Sequence, residues 1–155
     1  MKKFFISLAL LVSLGGFTAQ AKDGVNISPR IQRAFQKEFA GVKSVSWERL
    51  DDASLYHATF RYNEETLNAF FDEEGTLIAT GRNIEISNLP FLVSRSVNEK
   101  YCQYQIKDVV EYSTEGSTSY VVTLENDKAR LTVIAYDSGG SYIFKKEKKN
   151  VGSRL

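Results

Sequence analysis

One histidine, His57, and one cysteine, Cys102, are all the chain holds of the side chains best suited to nucleophilic, proton-transfer or soft-metal chemistry near neutral pH. A single histidine excludes His-rich zinc sites and any motif with two histidines, such as HExxH. No phosphate-binding P-loop, GxSxG elbow or dinucleotide fingerprint is present. A Cys–His nucleophile needs both groups within hydrogen-bond reach. His57 alternates with Tyr56 and Ala58 on a strand, so it points away from the face those residues pack on. Cys102, beside Tyr101 in a predicted helix, belongs to the other side and is expected to be buried and inert. The alternative for a lone exported thiol is pairing between molecules. Asp72-Glu73-Glu74 lacks the alternating ligands and later bidentate Glu of a calcium loop and reads as a solvated turn. No catalytic residue, metal ligand or cofactor site is therefore expected, and the chain reads as a non-enzyme.

The elements that hold these residues begin after a processing segment. Lys2 and Lys3, an apolar run Phe4–Leu14 and the small-residue site Ala19-Gln20-Ala21 predict a signal peptide over 1–21. The apolar run is too short to span a bilayer, and no later stretch is long or apolar enough for a membrane helix. No cysteine lies near the cleavage site, so lipoprotein anchoring is not expected, and the mature chain belongs in the periplasm or outside the cell. Residues 22–155 are enough for one domain with its own core. Removing two lysines from 20 basic residues against 19 acidic ones leaves a net charge near −1. That balance argues against nucleic acid as a partner, because phosphate binding needs clustered Lys and Arg. The one basic run, Lys145–Lys149 with Glu147 inside it, reads as a terminal edge strand that lysines protect from pairing.

A hairpin pattern recurs. Residues 69–78 and 134–143 each carry an apolar run, an aromatic-Asp step, a turn with a glycine (Gly75; Gly140) and a second apolar run, at an offset of 65. Ser28-Pro29 predicts a helix start, followed by the stripe Ile31, Phe35 and Phe39, with Gly41 placed to end it. Pro90 opens a second stripe, Val93, Val97 and Tyr101, at an offset of 62. Alternating runs follow each helix. Tyr56, Ala58 and Phe60 share a parity, and Tyr120-Val121-Val122-Thr123-Leu124 matches Tyr56–Phe60 at an offset of 64. The expected fold is α+β: two tandem repeats, about 28–86 and 87–147, each a helix plus a four-stranded antiparallel meander, sharing one sheet with the helices on one face.

The Phe39 stripe, Gly41, Val45-Ser46-Trp47, Tyr56-x-Ala58-x-Phe60, Ala69-x-Phe71-Asp72 with Gly75, and Leu89-Pro90 resemble the PepSY-like proteins. These are exported bacterial proteins grouped with the β-lactamase-inhibitor-protein (BLIP) fold, and the resemblance covers most of residues 28–147. It implies a non-catalytic binding module, with a peptidase as the class of partner, because PepSY-type modules are associated with restraining peptidases. The β-lactamase inhibitor grips its target with the concave face of its sheet, but this chain, with one cysteine, lacks that protein's internal disulfides.

Helices on one side leave the other sheet face open. Trp47, Tyr56, Phe60 and Phe71 have the core parity. His57, Arg61, Phe70 and Ile78, with Val121 and Ile143, have the other and form the expected binding face. The leading expectation is an exported protein that docks a protein partner there, such as a peptidase it inhibits. A carrier of a small ligand or peptide is the second reading. A self-associating envelope component, a homodimer burying the Phe70 face, is the third.

Overall fold

The computed structural model describes residues 25–149, and the expected signal peptide lies outside them. Helix α1 (Pro29–Glu38) leads into strands β1 (Val45–Leu50), β2 (Leu55–Tyr62), β3 (Glu65–Phe71) and β4 (Leu77–Asn83). Helix α2 (Phe91–Lys100) leads into β5 (Gln105–Thr114), β6 (Ser117–Glu125), β7 (Ala129–Tyr136) and β8 (Ser141–Lys148). The strands form an eight-stranded sheet in sequence order; short turns make neighbours of the strands within β1–β4 and within β5–β8, whereas β4 and β5 are joined through α2. The chain divides into two compact units, residues 25–83 with Glu111–Thr118, and Ile84–Val110 with residues 119–149.

In the first unit Ser28 caps α1, its Oγ accepting from the Ile31 N–H at 3.4 Å, a cap that contributes about 1 kcal/mol. Pro29 takes the first helical position, where its missing N–H costs nothing. The stripe Ile31, Phe35 and Phe39 packs on Tyr56, Ala58, Phe60, Ala69 and Phe71, the expected core parity of β2 and β3. Phe35 is the hub, edge-on to Phe60 at 4.9 Å and to Trp47 at 5.4 Å.

In the second unit Val93, Val97 and Tyr101 pack on Tyr120, Val122, Leu124, Leu131 and Val133. Pro90 takes the N-cap position of α2 with extended backbone, and its hydrocarbon ring can make no side-chain cap; Ser87 and Asn88 lie before it in a short 3-10 turn.

The hairpin turns correct the expected alignment. Gly75 N–H donates to Asp72 O at 3.1 Å, and Asp72 N–H to Thr76 O at 3.1 Å. In the second unit Gly139 N–H donates to Tyr136 O at 2.8 Å, and Tyr136 N–H to Gly140 O at 2.9 Å. The turn glycine is thus Gly139, with φ +84°, and not Gly140; the matching positions lie 64 apart. Asp72 accepts from the Thr76 N–H at 2.7 Å across its own turn, whereas Asp137 accepts from the Tyr120 hydroxyl at 3.0 Å.

Cys102 is a second correction. It lies past the end of α2, after Tyr101, and is exposed. The helix stripe ends at Tyr101, so the next residue has no core to enter.

Candidate binding surface

On β2 and β3 the residues of the non-helix parity form a buried polar-aromatic cluster. His57 is 3 % exposed and Phe70 0 %, and their rings stack with centroids 4.7 Å apart. His57 Nε2 lies 2.8 Å from Asn68 Oδ1, which also accepts from Thr59 Oγ1 at 3.2 Å. His57 Nδ1 faces Glu48 Oε2 at 3.8 Å. Burial pushes the imidazole below its ordinary range, against the opposing pull of Asn68 and Glu48, so the ring is held neutral. No group of three metal-ligating side chains occurs among the described residues.

Tyr112 closes the cluster. Its ring lies 6.0 Å from Phe70 and so close to Gly81 that a Cβ there would stand 2.7 Å from Cε1. Glycine at this position lets the aromatic ring approach the strand. Alternation correctly turns Phe70 away from α1, but the expected exposed apolar patch is not there. His57 and Phe70 are interior. Arg61 is exposed, its Nη2 donating to Glu64 O at 2.9 Å. Ile78 is half-buried at a β-bulge: Phe70 pairs with Ala79 and Phe71 with Leu77, so Ile78 stands outside the alternation.

The second unit departs in the same two ways. Val121 is buried at 7 %, paired across from Ile134 at 0 %. Ile143 is exposed, but it pairs with Val133 of the helix-side core, because a register shift at Thr132/Val133 changes the parity of β8. Ile143 therefore belongs to the helix side and not to the opposite face.

That face exposes two aromatic side chains in the second unit, alongside Arg130. Tyr142 pairs with Ile134, and Tyr136 lies two residues on from Ile134, which puts both tyrosines on the non-helix side. They are 41 % and 40 % exposed, with ring centroids 6.4 Å apart. Partial burial, then contact with Tyr136, pushes the Tyr142 phenol above its ordinary range. Sequence reasoning missed this pair. Tyr136 was accessible from the alternation Arg130, Thr132, Ile134, Tyr136, but Tyr142 depends on the bulge.

A groove of about 430 Å³ lies in the first unit between α1 and β1, lined by Ile27, Gln32, Phe35, Gln36, Val45 and Trp47 among others. It mixes aromatic surface with carboxamides and contains no charged side chain.

A helix packed on each of two meanders within an eight-stranded antiparallel sheet has solved counterparts. A BLIP-like protein from Bacteroides fragilis matches with a TM-score of 0.65 and 23 % identity over 86 % of this chain and 94 % of that one. The fold is BLIP-like. A DUF2874 family protein from Bacteroides ovatus matches at 0.68 with 18 % identity, over 81 % and 89 % of the two chains. A protein from Bacteroides eggerthii, provisionally assigned to the periplasm, matches at 0.68 with 12 % identity, over 80 % and 90 %. No family model and no curated protein sequence matches the chain. At these identities the BLIP-like likeness concerns the fold alone. No described helix is long and apolar enough to cross a membrane.

Proposed function

We propose that this chain is an exported, non-enzymatic binding protein that docks a protein partner through Tyr136 and Tyr142. The carrying observation is two tyrosines, 40 % and 41 % exposed, side by side next to the buried Ile134. Tyrosine supplies a large rigid contact area with a polar tip and is enriched at interfaces. The segment 1–21 and the provisionally periplasmic neighbour support export. The BLIP-like fold supports docking of a protein in general, and the PepSY-like resemblance of the sequence is what suggests a peptidase as the partner class. We read residues 28–86 and 87–147 as two copies of one helix-plus-meander repeat, supported by helix stripes 62 apart and turn hydrogen bonds 64 apart. A homodimer formed to bury Phe70 is not proposed, since Tyr112 already covers that side chain within its own unit. A carrier of a small ligand or peptide is the second reading, favoured by the groove beside Trp47.

The test compares the mature protein with a Tyr136→Ala, Tyr142→Ala variant, each checked for native circular dichroism. Both are immobilised and exposed to envelope and secreted proteins of the source cell. A protein retained by the native form and lost by the variant is the expected result, and for a peptidase the loss of inhibition should follow. Equal retention by both forms would remove the tyrosine pair from the docking surface.

A further inference from the structure

Strand β1 has one hydrogen-bonded neighbour, β2, and forms an edge of the sheet. In an antiparallel pair every second residue turns its N–H and C=O away from the partner. Along Val45–Leu50 these outward groups make no backbone bond among the described residues. The edge also lacks the usual protection against pairing. Its register with β2 runs unbroken from Val45↔Phe60 to Leu50↔Leu55, without a bulge, and the strand contains neither Pro nor Lys. Of its two charged side chains, Arg49 is engaged within the unit, pairing with Asp51 at 3.0 Å and Glu73 at 3.2 Å, while Glu48 faces the neutral His57 ring at 3.8 Å. Strand β8 differs in carrying Lys145, Lys146 and Lys148 and a register shift against β7.

Next to this bare edge lies the groove of about 430 Å³. Val45 and Trp47, which alternate onto the helix side of β1, form its floor with Phe35, and Gln32 and Gln36 of α1 stand at its rim. Side chains of a strand added beside β1 would alternate with the same period of two. Those opposite Val45 and Trp47 would enter the groove, and those between would face away.

We propose that β1 receives an extended peptide segment of a partner protein, which joins the sheet as an added strand and places alternate apolar side chains in the groove. The row of donors and acceptors, unpaired among the described residues, selects the occupant, since only an extended backbone can satisfy it at strand spacing. A compact apolar ligand would fill the groove and leave that row unpaired. The apolar floor selects aliphatic or aromatic side chains at every second position of the peptide, and the uncharged rim disfavours charged ones there. Strand β1 belongs to the first unit and Tyr136 and Tyr142 to the second, so each proposal has its own variants and readout.

The test is amide hydrogen exchange, followed by NMR, on the full mature chain. The probes are capped hexapeptides alternating valine or phenylalanine with threonine, and the same peptides N-methylated at alternate residues so that they cannot complete a ladder. Alternate amides within Val45–Leu50 should exchange freely in the protein alone and slow by about tenfold or more with the unmethylated peptides only. Filling the groove from its exposed rim with Gln36→Trp should abolish the effect. Three outcomes would overturn the proposal. They are no slowing with any peptide at millimolar concentration, equal slowing by the methylated peptides, or β1 amides already protected in the protein alone. Protection that grows with protein concentration would assign the edge to a second copy.

Discussion

The imidazole of His57 lies flat on the ring of Phe70, their planes 7° apart and their centroids 4.7 Å apart, on the sheet face opposite α1. The stack fixes the ring, and Asn68 Oδ1 at 2.8 Å makes Nε2 the donor, leaving Nδ1 toward Glu48. Because burial lowers the folded-state pKa, the unfolded chain takes up the proton first as pH falls below about 6.5. Stability is therefore complete above that pH and declines as pH drops toward the lowered folded value, by at most about 1.4 kcal/mol per pH unit. Urea unfolding at pH 7.5 and 5.5 should give a lower midpoint at 5.5, and His57→Gln should flatten the difference.

Phe70 has no exposed surface, so its removal should be felt as unfolding and not as lost contact with a partner. Phe70→Ala should cost about 3–5 kcal/mol in denaturant titration. Arg61→Glu, on the same strand face but exposed, should shift stability by only about 0.5 kcal/mol. A Phe70 loss below 1 kcal/mol would mean that the ring is not packed as described.

Gly81 and Tyr112 are coupled by contact. A methyl at Gly81 would stand 2.7 Å from Tyr112 Cε1, so Gly81→Ala should destabilise by about 1–3 kcal/mol. In a Tyr112→Leu background the same change should cost clearly less. The double-mutant cycle should show non-additivity above about 0.5 kcal/mol.

These pairings explain which parts of the fold were legible in the sequence. The stripes Ile31–Phe35–Phe39 and Val93–Val97–Tyr101, and the alternation Tyr56–Ala58–Phe60, are local periodicities, and the core follows them. The fate of the opposite face is not local. Phe70 is covered by Tyr112, which belongs to a strand far along the chain, and no periodicity around Phe70 records that. The face of Ile78 and Ile143 depends on bulges at Phe70/Phe71 and Thr132/Val133, each of which breaks the two-residue period without a sequence mark of its own. Tyr142 was missed for the same reason.

The adjacent glycines of the second hairpin can be separated experimentally. Gly139 has φ +84°, a left-handed conformation that costs an L-residue about 1–2 kcal/mol, and its N–H closes the turn onto Tyr136 O. Gly140 has no such φ, and a Cβ there would meet nothing nearer than 3.7 Å. Gly139→Ala should therefore lower stability by about that amount, while Gly140→Ala should be neutral or slightly stabilising through loss of unfolded-state entropy. Thermal melts of the two variants decide it, and equal effects would return the turn to the other register.

Cys102 gives the simplest check on where the buried stripe of α2 ends. The helix closes with Tyr101 N–H donating to Val97 O at 2.9 Å, and Cys102 follows in an exposed turn. Residue 102 stands one step past the Val93–Val97–Tyr101 stripe and in line with the exposed Asn98 and Glu99, so nothing in the unit covers its side chain. As placed, it should react with a thiol reagent in the folded protein to give one adduct, at a rate close to that in denaturant. Cys102→Ser should leave stability within about 0.5 kcal/mol, since an exposed side chain leaves no cavity when replaced. The same exposure makes the thiol available between molecules under oxidising conditions. Non-reducing electrophoresis after mild oxidation should show a dimer that reductant dissolves and that Cys102→Ser abolishes. Labelling that waits for denaturant would put the residue back in the core.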